Sequence, residues 1–109
     1  AERIELLVAA GANVNAVDEA MRTTLSKAAI AGNVECVVTL ARLGGNLEAM
    51  DRDGQSPISW AARMGEVKCI EALVRLGANI EAADKDGRTP LWRAANFGRV
   101  DCVEALVRL

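Results

Sequence analysis

The residues with the most recognisable chemistry in this 109-residue chain are its three cysteines. Cys36, Cys69 and Cys102 lie 33 residues apart, and the sequence contains no histidine. A catalytic thiol needs a base, and a structural zinc ion needs four ligands around one point. The regular spacing instead places the thiols on successive packed elements about 8 to 10 Å apart, beyond the reach of about 7 Å that a disulfide tolerates. The cysteines therefore predict buried, unpaired thiols and a reducing compartment, either the cytoplasm or the nucleus.

Three aspartates repeat with the same spacing and could suggest carboxylate chemistry. Asp18, Asp51 and Asp84 each open a short polar segment, and the last two begin the strings DRDG and DKDG. Aspartate followed by glycine is typical of tight turns, in which the carboxylate bonds its own backbone. The sequence has neither a phosphate-binding glycine loop nor a serine in a strained elbow. We therefore predict turn structure at these positions, with no enzyme activity, no cofactor and no metal site.

Composition narrows the class of protein. An apolar content of 51% is enough to form the core of one globular domain without metal or disulfide support. The formal net charge of −2 argues against the broad cationic surface expected of a nucleic-acid-binding protein. The most apolar run, LLVAAGA at 6–12, is shorter than the roughly 20 residues needed to cross a bilayer. Neither nucleic-acid binding nor membrane insertion is predicted.

The spacing of 33 residues organises the whole chain. GANVN, GGNLE and GANIE recur at this interval, beginning at Gly11, Gly44 and Gly77. The period divides a single array into a partial repeat (1–17), two full repeats and an incomplete one. We call the last three unit 1 (18–50), unit 2 (51–83) and unit 3 (84–109).

Each unit is predicted to contain a turn and two antiparallel helices. Ser56-Pro57 and Thr89-Pro90 place a hydroxyl N-cap before a proline at the first helical position. A second, amphipathic helix follows and ends before the next repeated glycine. Because one such pair of helices cannot bury both of its faces, each unit must stack on its neighbours to be stable.

The strings TTLSKAA, SPISWAA and TPLWRAA, which begin the three units' first helices, resemble the Thr-Pro-Leu-His signature of the ankyrin repeat family. The resemblance covers the whole chain and implies an all-α solenoid of stacked turn-helix-helix units. The signature's histidine, which commonly bonds the backbone between repeats, is replaced by Ser26, Ser59 and Trp92. We therefore expect Trp92 to fill space between repeats. Unit 1, in which Met21 replaces the turn glycine and Thr24 the proline, is expected to be the least regular.

The resemblance also implies a noncatalytic protein-protein interaction module. In that family, turn tips and the adjoining face of the first helices form a concave surface that binds protein partners. Units 2 and 3 of this chain differ from each other at those positions, while their second helices nearly coincide. The predicted partner-binding residues are Arg52, Asp53, Gln55, Trp60, Arg63, Met64, Lys85, Asp86, Arg88, Arg93, Asn96 and Phe97.

The nature of the partner follows from the side chains on this surface. Cations outnumber carboxylates there, so a protein segment with acidic and apolar side chains would be complementary. Two interpretations remain open for Trp60, which either contacts the partner or lies between Lys27 and Arg93 as a cation-π sandwich. Met64 and Phe97 likewise either contact the partner or pack against the turn backbone.

Two other functions fit the same sequence. The array could be the targeting or regulatory domain of a larger enzyme or channel, or a structural spacer without a binding hot spot of its own. Terminal repeats usually need a polar outer face, which VDCVEALVRL at 100–109 does not offer. We therefore expect either further repeats in a longer protein or end-to-end self-association.

Overall fold

The computed structural model describes residues 13–109, in which six α-helices form three consecutive pairs. They are α1 (Thr24–Ala31), α2 (Val34–Arg42), α3 (Pro57–Met64), α4 (Val67–Arg75), α5 (Pro90–Asn96) and α6 (Val100–Arg108). Each helix packs against the other member of its pair and against its equivalent in the next pair. The first helices thus form one layer and the second helices another, which confirms the predicted all-α solenoid. Residues 1–12 of the predicted partial repeat lie outside the described residues.

The first helix of each pair begins at a hydroxyl N-cap. The side chains of Thr23, Ser56 and Thr89 accept hydrogen bonds from the backbone N–H three residues later. Pro57 and Pro90 follow the caps of α3 and α5, as their sequences predict. The helices are only seven to nine residues long, and none within the described range has the length and apolar content needed to cross a membrane. Such short helices depend on stacking for their stability.

The core lies between the two layers and continues through the junctions between units. Small alanines on the first helices let the second helices approach closely, and branched side chains fill the remaining space. The fully buried apolar residues include Leu25, Ala29, Val37, Ile58, Ala61, Ala62, Ile70, Leu73 and Ala94. Cys69 and Cys102 belong to the same core, Cys36 is half-buried, and all three thiols are free. The predicted unpaired thiols are therefore confirmed, and their predicted burial is confirmed at Cys69 and Cys102 but not at Cys36.

The turn of unit 1 has the same shape as the other turns although it lacks their glycine. Met21 has a φ of 63°, close to the 74° of Gly54 and the 77° of Gly87. A side chain in this left-handed region costs about 1 kcal/mol relative to glycine. The expected irregularity of unit 1 is therefore a local strain at Met21 and not a different turn.

Candidate protein-binding surface

One carboxylate oxygen organises each turn. Oδ1 of Asp18, Asp51 and Asp84 accepts hydrogen bonds from two backbone N–H groups, at 2.9 and 3.0 Å in every turn. These bonds hold the turn tip in one conformation and satisfy backbone donors that would otherwise lack partners. The predicted role of the three aspartates as turn residues is confirmed.

The other oxygen of each aspartate binds a side chain of the first helix nine residues later. Oδ2 lies 3.1 Å from Lys27 Nζ in unit 1, 2.6 Å from Trp60 Nε1 in unit 2 and 2.8 Å from Arg93 Nη2 in unit 3. Three chemically different side chains therefore make the same contact. The residue at this position therefore varies among the repeats because different side chains can donate to the same aspartate. A comparison of the repeat sequences shows this variation but cannot tell it from variation among residues that contact a partner.

Trp60 and Arg93 are consequently less available than their sequence positions suggest. Each is only 7% exposed, with its polar end directed to the turn aspartate of its own unit. The sandwich of Trp60 between Lys27 and Arg93 is wrong, because Lys27 binds Asp18 and Arg93 lies over Trp92. Trp60 and Arg93 thus lie below the surface and support the turns, although both were predicted to contact a partner.

The guanidinium groups over Trp60 belong to Arg22 and Arg63, at 4.8 and 5.0 Å from the ring centroid. Arg63 also lies 4.6 Å from the centroid of Phe97. We call Arg22, Trp60, Arg63 and Phe97 the cation-aromatic row. It crosses all three units and orients Phe97, which is 39% exposed. Sequence reasoning missed Arg22 as a site residue. The signal that could have found it is its position, 33 residues before Gln55 and 66 before Arg88, which are both predicted partner-binding residues.

Trp92 is more exposed than the serines at the equivalent position of units 1 and 2. Ser26 and Ser59 are 1% and 4% exposed, whereas Trp92 is 40% exposed and has Arg88 and Arg93 at 4.8 and 5.4 Å from its ring centroid. Trp92 is therefore exposed among the described residues, and the expectation that it fills space between repeats stays a prediction.

Gln55 is the predicted site residue that the structure removes furthest from solvent. It is completely buried, and neither atom of its amide has a hydrogen-bond partner among the described residues. The same holds for Nε of Arg93. Gln55 cannot touch a partner in this conformation, because its side chain is completely buried.

The remaining predicted residues are accessible and lie in two places, the turns and the C-terminal ends of the first helices. Arg63 is half-buried, and the exposed residues are Arg52, Asp53, Met64, Lys85, Asp86, Arg88, Asn96 and Phe97. The turns of units 2 and 3 border a cleft of about 320 Å³, which also exposes Met50, a residue that sequence reasoning missed. One hydrogen-bond donor of Arg52 is already used within the chain, because its Nε donates to the carbonyl oxygen of Glu19 at 2.6 Å.

Cys69 and Cys102 do not add reactive groups to this surface. Burial, with a smaller contribution from the Glu66 carboxylate, raises the pKa of the Cys69 thiol to about 11. Burial also raises the pKa of Cys102. Both thiols are therefore protonated near neutral pH, and protonated buried thiols are poor nucleophiles and poor metal ligands. Within residues 13–109, no group of three or more metal-ligating side chains is placed to hold an ion.

Comparison with known protein families agrees with this architecture. The family model for ankyrin repeats (3 copies) matches residues 1–84 and 43–109, so its two matches together cover the chain. No curated protein matches the sequence. The chain belongs to the ankyrin repeat family.

Proposed function

We propose that this chain is a noncatalytic interaction module that binds a protein partner through the tips of its turns and the adjoining first helices. Ankyrin repeats are generally protein-protein interaction modules. The exposed side chains of units 2 and 3 form the proposed concave surface: Arg52, Asp53, Met64, Lys85, Asp86, Arg88, Asn96 and Phe97. The free thiols fit a reducing compartment, which we propose to be the cytoplasm or the nucleus.

The observation that carries this proposal is the exposure of apolar side chains beside cations in units 2 and 3. Met64 and Phe97, at the C-terminal ends of successive first helices, are 38% and 39% exposed. The Arg63 guanidinium lies over Phe97 and restricts the ring before any partner arrives. Pre-organised aromatic side chains flanked by arginine are typical of the residues that contribute most to protein interfaces.

The charges of the surface favour an acidic segment with apolar side chains as the partner. The carboxylates of Asp51, Asp53 and Asp84 are paired with donors of this chain. Lys85 and Arg88, in contrast, make no ion pair within residues 13–109 and are exposed. The unpaired charge around the cleft is therefore mainly positive, which would steer an acidic partner toward it.

A binding experiment with two matched variants tests the proposal. The surface variant Met64→Ala/Lys85→Glu/Phe97→Ala changes one exposed turn residue and removes two exposed side chains at the C-terminal ends of the first helices. The control variant Lys68→Glu/Val107→Ala makes similar changes at exposed positions of α4 and α6, on the other layer. We leave Trp60 and Arg93 unchanged, because their buried hydrogen bonds would confound folding with binding.

We expect wild type and the control variant to recover the same partners from cell extract by affinity capture and mass spectrometry. The surface variant should lose those partners while its far-ultraviolet circular dichroism is unchanged. Equal recovery by all three folded proteins would disprove the proposed surface. Loss of partners by the control variant alone would place the binding site on the second helices.

A further inference from the structure

The turns of units 1 and 2 are bonded directly to each other. The backbone N–H of Arg52 donates to the carbonyl oxygen of Ala20 at 2.9 Å, and Arg52 Nε donates to that of Glu19 at 2.6 Å. Arg22 Nη2 adds an ion pair with Asp53 at 3.3 Å. One backbone donor and two long side chains therefore fasten these turn tips together.

Within residues 13–109, none of these contacts recurs between the turns of units 2 and 3. Lys85, in the place of Arg52, makes no hydrogen bond through its backbone N–H or its Nζ in that range. Gln55, in the place of Arg22, is completely buried, and its amide has no partner there. The second pair of turns is therefore joined neither by a hydrogen bond nor by an ion pair in the described part of the chain.

A cleft of about 320 Å³ lies between the turns of units 2 and 3. The turns still approach closely at Gly54, where an added Cβ would lie 3.0 Å from Cβ of Asp84. Because the turns have the same shape, the free N–H of Lys85 points toward the turn of unit 2. Met50, which is 42% exposed, lines the same cleft. The cleft therefore combines a free backbone donor, a cation and an apolar side chain.

A further repeat of the array would not fill this cleft. Consecutive repeats stack in one direction, so a following unit would pack on the face of unit 3 that points away from unit 2. Arg52 is exposed although units stand on both sides of its turn, and Lys85 occupies the equivalent position. Arg88 differs, because its equivalent Gln55 is buried between two units. Lys85 would therefore stay accessible in a longer array.

The unpaired charges of the cleft favour an acidic occupant. The carboxylates of Asp53 and Asp84 are already paired within the chain. Apart from Arg88, the charged groups of the lining that form no ion pair within residues 13–109 are Arg52, Lys85 and Asp86. Two cations thus stand beside one carboxylate, and a carboxylate that enters the cleft finds a net positive charge.

We propose that an extended acidic segment of the protein partner inserts between the turns of units 2 and 3. A main-chain carbonyl oxygen of the segment accepts the Lys85 N–H, in the place that the Ala20 carbonyl has at the first junction. A carboxylate of the segment pairs with Lys85 Nζ, and a neighbouring apolar side chain covers Met50. The proposal rests on the proposed function and adds how the turns hold the partner.

The probe is the blocked peptide Ac-ALDLA-NH2, titrated into the whole 109-residue chain. Binding is followed by two-dimensional NMR of the backbone amides of Gly54 and Lys85. We expect saturable shifts at both amides, with a dissociation constant of about 1 mM, because the probe makes only a few contacts. The peptide Ac-ALNLA-NH2 should bind about threefold more weakly, because it lacks the carboxylate.

Two substitutions of Lys85 separate the cation from the backbone donor. Lys85→Met removes only the cation and should weaken binding by about threefold. Lys85→Pro also removes the N–H and should weaken binding by about threefold to tenfold more. Proline suits this position, which is the second residue of a turn closed by the Gly87 N–H on the carbonyl oxygen of Asp84 at 2.9 Å. The Gly54 amide, present in both variants, reports their binding.

Arg52→Pro is the matched control for the open turn. Its N–H is bonded to Ala20, so the substitution should lower the urea midpoint, whereas Lys85→Pro should leave the midpoint unchanged. Equal destabilisation by the two prolines would overturn the inference, because the Lys85 N–H would then be bonded within the chain. Absence of saturable shifts at Gly54 and Lys85 would also overturn it, and so would equal binding by Lys85→Pro and Lys85→Met.

Failure of this inference and failure of the proposed function are distinguishable. The surface variant used to test the proposed function changes Met64 and Phe97 together with Lys85. Absence of peptide binding together with partner loss in the surface variant would reject only insertion between the turns. Retention of every partner by the surface variant would reject the proposed function even where the peptide binds.

Discussion

The junction between units 1 and 2 and the junction between units 2 and 3 occupy equivalent places in the array but are held together differently. At the first junction, Arg22 crosses from unit 1 to bind Asp51 and to stack over Trp60. At the second, Gln55 takes the place of Arg22 and is buried with both amide atoms unpaired among the described residues. Arg93 binds the aspartate of its own unit and leaves Nε without a partner in that part of the chain.

This difference shows that a repeated backbone does not make the junctions energetically equivalent. The turns and caps recur almost unchanged, so equivalent side chains reach each junction. At the first junction the side chain is Arg22, which is 30% exposed and donates to two carboxylates. At the second it is the completely buried amide of Gln55, which has no partner among residues 13–109, and a buried unsatisfied polar group costs about 1 to 3 kcal/mol. We therefore expect the second junction to be the weaker one.

The largest effect should come from breaking the first junction at Asp51. Asp51→Ala removes the acceptor of Arg22, of the Trp60 indole and of two turn N–H groups. We expect the free energy of unfolding, measured by urea denaturation, to fall by about 2 to 4 kcal/mol. Asp18→Ala is the matched control, because Asp18 holds its own turn but is exposed. Equal losses in the two variants would contradict the special role of the first junction.

The same substitution at positions 22 and 55 should have opposite effects. Arg22→Met removes bonded donors and should lower the free energy of unfolding by about 1 to 2 kcal/mol. Gln55→Met keeps a side chain of similar length but removes two unpaired polar atoms, and should raise that free energy by about 1 kcal/mol. Urea denaturation of both variants provides the measurement. Destabilisation by both would show that Gln55 has partners that the structure does not contain.

A smaller effect is expected where the second helices begin. Arg99 Nε donates to the carbonyl oxygen of Arg63, at the C-terminal end of α3, at 2.9 Å. Glu66, its equivalent in unit 2, places a carboxylate against Gly32 at the C-terminal end of α1. Because that end of a helix carries partial negative charge, Glu66→Arg should stabilise the fold by about 0.3 to 1 kcal/mol.

Thermal and urea denaturation of Glu66→Arg test this expectation, and Arg99→Glu provides the reciprocal control at the other junction. The control should lower the free energy of unfolding by a similar amount, because it places a carboxylate where α3 offers carbonyl oxygens. If both substitutions shifted stability in the same direction, the helix-terminus explanation would be rejected.

The smallest effect on stability is expected from Asp84 and depends on pH, because it changes only in acidic solution. Hydrogen bonds from the Arg88 backbone, then from the Asp86 backbone, with the charge of Arg93, hold the pKa of Asp84 below its ordinary value of 3.8. A carboxyl with a lowered pKa in the folded state stabilises the fold above the unfolded pKa, and this contribution disappears as pH falls through the folded pKa. The difference in urea midpoint between wild type and Asp84→Asn should therefore be constant above pH 5 and shrink below about pH 4. A constant difference down to pH 2 would contradict it.

The accuracy of the sequence predictions depends on whether a residue acts locally or across a junction. The caps at Ser56 and Thr89 and the turn at Asp51 follow from neighbours within a few residues, and the structure confirms them. Trp60 and Arg93 differ in type and were therefore predicted to be free for a partner. Their shared bond to a turn aspartate becomes visible only when the turn folds back onto the first helix.

The repeated sequence by itself determined the 33-residue frame, the order of turn and helices, and the burial of Cys69 and Cys102, because each depends on local backbone preferences and helix periodicity. Only the tertiary structure decided which cation pairs with which carboxylate, that Gln55 is buried without a partner among residues 13–109, and that Trp92 is exposed there. Those outcomes depend on the reach of long side chains between units and on which face of a unit is covered. Equivalent positions in a sequence have equivalent surroundings only where the neighbouring units are also the same.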